Sequence, residues 1–116
     1  RTDWESRLRD LKRKASDGKL NVDLVTRGHE LIAYAVSTIN YKGMGEIDSL
    51  CVGEQYRGRG IGKQLIRRAI DWMESEGAKS YMLQVVHGNE RAMSLYQSLG
   101  FLPVMHVLMI PPRNLD

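Results

Sequence analysis

Between Gly45 and Gly77 the chain reads as a strand, a glycine-dense loop and a helix in succession, and no other stretch restricts its fold so tightly. Glu46-Ile47-Asp48-Ser49-Leu50-Cys51-Val52 is the strand, Gly53 to Gly62 the loop, and the segment opening at Ile61 the amphipathic helix. A glycine-rich turn that opens a helix gathers unpaired backbone N–H groups and the positive end of the helix dipole at one point. That combination holds a phosphate or pyrophosphate without a dedicated side chain. Two common phosphate loops are excluded by spacing. The Walker pattern would need glycine at Arg57 and a hydroxyl residue at Gln64, and the strict alternation of Gly58, Gly60 and Gly62 does not fit Gly-x-Gly-x-x-Gly.

The flanking sequence gives the order of elements. Thr2-Asp3-Trp4-Glu5 has the form of a capping box, Trp4, Leu8, Leu11 and Ala15 share a helical stripe, and Asp17-Gly18 ends that helix. Asn21 to Thr26 alternates as a strand, Arg27-Gly28-His29-Glu30 makes a hairpin turn, and Leu31 to Ile39 is a longer apolar strand. The short link from Asn40 to Gly45 makes the third strand antiparallel to the second. In the helix, Ile61, Leu65, Ala69 and Met73 form the buried stripe and Gly77 the stop. Tyr81 to Val86 is nearly all apolar, as expected of a strand buried on both faces and reached by a parallel crossover. Asn89 caps a last helix that buries Ala92, Leu95, Tyr96 and Leu99 and ends at Gly100, and Phe101 to Ile110 is strand-like with a break at Pro103.

Length and composition set the outer bounds. A chain of 116 residues, 42% hydrophobic and 27% charged, is expected to form one domain around one core, residues 1–116. Its longest apolar run, Leu31 to Val36, is strand-sized, so no membrane partner is expected, and there is no signal-peptide pattern. With Cys51 as the sole cysteine no internal disulfide forms, and a reducing, cytoplasmic setting is expected. Five basic residues, Arg57, Arg59, Lys63, Arg67 and Arg68, fall between Gln55 and Ile70 with no acid among them, so the +3 net charge belongs to the loop and helix. A local cationic patch, with Tyr56 its one aromatic, suits a single polyanionic ligand better than nucleic acid.

Arg57-x-x-Gly60-x-Gly62 behind this strand, together with Asn89, Ala92, Tyr96, Leu99, Gly100 and Phe101, resembles the GNAT N-acetyltransferase superfamily. The likeness is sharp from Gly45 to Phe101 and looser from Trp4 to Ile39. It implies a mixed α/β fold, a central and mostly antiparallel sheet flanked by helices. It also implies an N-terminally short domain, without the strand and helix that family members carry before this point. The implied cofactor is acetyl-CoA, a co-substrate, with no metal. Arg57, Gly58, Arg59, Gly60, Ile61, Gly62 and Lys63 would form the pyrophosphate loop, Leu50, Cys51 and Val52 would meet the pantetheine arm, and Asn89 would touch it as well as cap its helix.

The implied reaction is direct attack of a primary amine on the thioester. A lysine-like amine at neutral pH sits ~4.6 kcal/mol from its reactive neutral form, so a base or a water path must take its proton. The resemblance places Glu46 at the base position; Asp48 competes, since strand alternation sets it on the same face. Cys51 alternates away from Glu46 and reads as a small buried core residue. A strand N–H near Leu50 to Val52 would steady the oxyanion if the strand parts from its neighbour. Tyr96 would protonate the departing thiolate. Gln84 stands where some relatives use a histidine, and His87 reads as a loop residue. The acceptor is open between small-molecule and peptide or protein amines, and the oligomeric state between monomer and homodimer. The rival reading is a non-catalytic CoA-binding or interaction module.

Overall fold

A computed structural model describes residues 3–14 and 18–112. The chain forms two compact units, residues 1–86 and residues 87–116. The first opens with helix α1, Asp3–Lys14. The expected cap at Thr2, the Trp4, Leu8, Leu11 and Ala15 stripe and the Asp17 stop lie outside the described residues and side chains.

Four strands follow in one sheet, in chain order: β1 Lys19–Arg27, β2 Glu30–Ile39, β3 Met44–Val52 and β4 Ser80–Leu83. The first two pairings are antiparallel and β3 with β4 is parallel, as the link lengths predict. The two-residue turn between β1 and β2 works because Gly28 takes φ +63°, a left-handed conformation open to glycine. The link to β3 is shaped by Asn40, whose Oδ1 accepts from the N–H groups of Lys42 at 2.9 Å and Met44 at 3.0 Å.

Helix α2, Ile61–Ser75, covers one face of the sheet. Leu65, Ala69 and Met73 of the predicted stripe are buried, with Ile61 half-buried at its head and the flanking Ile66 fully buried beside them. Leu65 packs with Ala33 and Ala35 of β2, and Val25, Leu50, Val52 and Ile61 close around them. Gly45 lets the helix approach: a Cβ there would lie 2.6 Å from Met73 Sδ and 2.9 Å from the Ser80 carbonyl. Asp23 of β1 reaches the same helix through Arg68, 3.0 Å away.

Three expectations need correction. Val36 pairs with Ser49 but Ser37 pairs with Ile47, so Asp48 is an extra residue, a β-bulge in β3. A bulge reverses alternation. Leu50 and Val52 face α2 as Ile47 does, and Cys51 lies on the opposite face with Glu46, where it is exposed rather than buried. The fourth strand stops at Leu83; Tyr81 and Met82 are exposed and Val86 is 80% exposed, so Tyr81 to Val86 is not a strand buried on both faces.

In the second unit, helix α3 spans Glu90–Ser98. Asn89 Oδ1 accepts from the Ala92 N–H at 3.2 Å, so the N-cap is the predicted one, and the helix ends at Gly100 with φ +102°. The third correction concerns the tail. Phe101 to Pro112 forms no strand, and Leu102, Val104, Met105 and Val107 to Ile110 are 74–90% exposed. An extended segment becomes a strand only when another edge meets its N–H and C=O groups. Pro103, Pro111 and Pro112 each remove a donor from this one.

Candidate functional site

The loop after β3 turns back at once. Gly53 donates its N–H to the Ile32 carbonyl at 2.7 Å, and the 3-10 turn Glu54–Tyr56 closes with the Tyr56 N–H on the Gly53 carbonyl at 2.8 Å. Gly58 and Gly60 then take φ +79° and +83°, and a Cβ at either would meet nothing within 4 Å. These glycines are therefore required by backbone conformation, and the space beside them is open. Gly60 is the N-cap of α2 and supplies no side-chain cap, and the first turn carries no acid. The leading N–H groups of the helix are thus left for a ligand with negative charge.

The side chains of this loop take separate tasks. Arg57 Nε donates to the Val52 carbonyl at 3.0 Å, tying the loop to the end of β3. The Arg59 guanidinium lies 5.4 Å from the centroid of the Tyr56 ring. Ile61 packs into the core, so only its backbone can serve a ligand. Gly62 sits against β3, where an added Cβ would lie 3.7 Å from Val52 Cγ2. Lys63 and Arg67 are exposed, whereas Arg68 is engaged with Asp23.

Among the described residues the β3–β4 pairing ends at Ile47 and Leu83. Because the Gly53 N–H is turned to β2, alternation turns Cys51 to β2 as well and directs the Leu50 and Val52 backbone groups to the other edge. The Val52 carbonyl that takes Arg57 confirms this direction. The β3–β4 pairing thus ends before Leu50.

Glu46 is half-buried opposite Thr38. For the other acidic candidate, the buried Thr38 hydroxyl donates to Asp48 Oδ2 at 2.6 Å, a short contact that anchors the bulged residue. Sequence reasoning did not mark Thr38, and it named Tyr56 only as the one aromatic of the cationic patch. The signal for Thr38 was the Ser37-Thr38 pair inside an otherwise apolar strand, and for Tyr56 an aromatic next to a cationic loop.

In the second unit, Tyr96 is half-buried on α3. Its ring meets Phe101 edge-on at 6.3 Å, and its carbonyl accepts from the Phe101 N–H at 3.1 Å. Burial pushes the phenol above its ordinary pKa, so Tyr96 keeps its proton throughout the neutral range. Among the described residues no cluster of His, Cys, Asp or Glu could hold a metal ion, and no helix is long and apolar enough to cross a membrane.

Comparison with known proteins gives a consistent picture. The model of the Acetyltransferase (GNAT) family matches residues 1–101. The chain is 40% identical over 62 residues to the uncharacterized N-acetyltransferase YobR of Bacillus subtilis, covering 53% of this chain and 25% of that protein. It is also 40% identical over 57 residues to N-alpha-acetyltransferase 30 of Schizosaccharomyces pombe, covering 49% of this chain and 38% of the relative. The matched stretch thus spans well under half the length of these relatives. Among solved structures, AAC(6')-Iy in complex with the bisubstrate analog CoA-S-monomethyl-acetylneamine aligns with a TM-score of 0.75, over 97% of this chain and 82% of the other, at 21% identity.

Proposed function

The chain belongs to the GNAT acetyltransferase family, and from that premise we propose that it transfers an acetyl group from acetyl-CoA to a primary amine by direct attack in a ternary complex. One observation carries the reading: two left-handed glycines deliver the uncapped N-terminus of α2 beside the end of β3, where the Leu50 and Val52 backbone groups face the side on which pairing with β4 has already ended. The first feature suits a pyrophosphate, and the second suits the amide-bearing pantetheine arm, which can add to a free edge as a short strand does.

In this reading the backbone from Gly58 to Lys63 holds the pyrophosphate, and the Leu50 or Val52 N–H steadies the oxyanion as the amine attacks. Glu46 takes the proton of the amine, directly or through water, while Asp48, bound by Thr38, holds the bulge. Tyr96 gives its proton to the departing thiolate; the burial that raises its pKa keeps that proton available. Asn89 spends its Oδ1 on the helix cap and has its amide NH2 for the pantetheine arm. Residues 1–116 act as one cytoplasmic acetyltransferase domain, monomeric or homodimeric. The acceptor is a primary amine, and a screen of peptide α-amines, lysine side chains, polyamines and aminoglycosides would identify it.

Calorimetric titration with acetyl-CoA, against dephospho-CoA and ATP, tests the premise. Micromolar binding is expected, weakened roughly tenfold in Gly60→Val, because the added side chain would fill the open space beside Gly60 and block backbone approach to the pyrophosphate. Absence of acetyl-CoA binding by the unaltered protein would overturn the reading. Binding without acetyl transfer to any amine would leave a CoA-binding module instead.

A further inference from the structure

Arg57 and Arg59 stand two residues apart in the loop, and the family motif alone would assign both to the phosphates. Their surroundings differ. Arg57 Nε is committed to the Val52 carbonyl at 3.0 Å, so this side chain points back along β3 and fastens the loop to the strand end. Arg59 lies between the two left-handed glycines and directly precedes Gly60, the N-cap of α2. Its guanidinium sits 5.4 Å from the centroid of the Tyr56 ring.

Tyr56 is built to be a fixed platform. Its own N–H closes the 3-10 turn on the Gly53 carbonyl at 2.8 Å, and its side chain is half-buried. The phenol oxygen makes a long contact, 3.4 Å, to Glu30 Oε1 at the start of β2. A long, exposed arginine loses rotamer freedom when it binds an anion, and a ring that already holds it over one face removes part of that loss in advance.

We propose that Tyr56 is a positioning residue that presents Arg59 to the phosphates of the cofactor, while Arg57 is a strap between loop and strand and not a phosphate ligand. This rests on the acetyl-CoA reading. The loop then contributes one oriented guanidinium in addition to its backbone N–H groups. The Tyr56 ring matters to binding only through Arg59.

A double-mutant cycle read by calorimetry with acetyl-CoA tests this. Arg59→Gln is expected to weaken binding about tenfold or more and to flatten its dependence on KCl concentration. Tyr56→Leu should weaken it about three- to fivefold, Tyr56→Phe less than twofold, and Tyr56→Leu should add nothing once Arg59 is Gln. Arg57→Gln should lower the melting temperature and leave the KCl dependence as in the unaltered protein. Additive effects of Tyr56→Leu and Arg59→Gln, tighter binding in Tyr56→Leu, or a flattened KCl dependence in Arg57→Gln would each overturn the proposal while leaving the cofactor reading intact. Failure of the unaltered protein to bind acetyl-CoA would remove both. Circular dichroism of each variant separates loss of fold from loss of binding.

Discussion

On its β2 side, β3 is laddered from Gly45 to Val52, whereas on its β4 side pairing runs only from Met44 to Ile47. The β4 pairing stops where the bulge stands: Asp48 follows Ile47 and is passed over in the β2–β3 register, while its carboxylate accepts from Thr38 of β2. A bulge raises local twist and bends its strand, which turns the following residues away from a straight parallel neighbour. The closed edge therefore supports the fold, and the open edge leaves backbone groups for a ligand. Backbone polar groups away from water need partners, so the open segment is a place where a ligand gains what the sheet does not use.

Proline gives the strongest way to break this contrast, since it removes one N–H at a chosen edge. Cys51→Pro strikes the β2 edge and should destabilise the protein by about 3 kcal/mol or more, seen as a lower urea midpoint. Val52→Pro strikes the open edge and should lower kcat by roughly 10²- to 10³-fold, the usual loss for an oxyanion donor, with a far smaller change in the urea midpoint. Equal destabilisation by the two would mean that the edges do not differ in role.

Side chains sharpen the same contrast. Glu46→Gln should reduce kcat by about 10²-fold near neutral pH and leave acetyl-CoA affinity unchanged. The deficit should shrink as pH rises toward the pKa of the amine, because the free base then forms without help. A pH–rate profile parallel to that of the unaltered enzyme would exclude Glu46 as the base. In the mechanism proposed above Tyr96 is the acid; its raised pKa keeps the phenol protonated beyond its ordinary value of 10.0, so loss of that acid is expected only above that pH.

How much of this was legible follows from which interactions are local. The Asn89 cap, the α2 stripe and the turn glycines could be read because each is settled within a few residues of chain. The bulge could not, because Asp48-Ser49 reads as two ordinary polar residues until β2 fixes which one its register skips. From that single ambiguity came the misplacement of Cys51. The tail misled for the opposite reason. Leu102 to Ile110 has the apolar content of a strand, but a strand also needs an edge, and pairing is not written in the segment itself. The short β4 has the same origin: Val85 and Val86 are apolar enough to continue it, but the pairing with β3 ends at Leu83.

The smallest expected effect asks whether the bulge is held by its side chain or by its backbone. Thr38 and Asp48 join β2 to the bulged residue through a 2.6 Å hydrogen bond, and Thr38→Val removes the donor while keeping the shape. Because the acceptor is a carboxylate at a part-buried site, the loss should be about 1.5 kcal/mol, measurable by urea denaturation. If the backbone register alone sets the bulge, kcat will stay within twofold of the unaltered enzyme, because the Leu50 and Val52 N–H groups keep their direction. A drop in kcat larger than the fall in stability can explain would mean that the Thr38–Asp48 contact holds the open edge in place. Thr38 would then belong among the residues that position the chemistry, and the closed edge would no longer be separable from the open one.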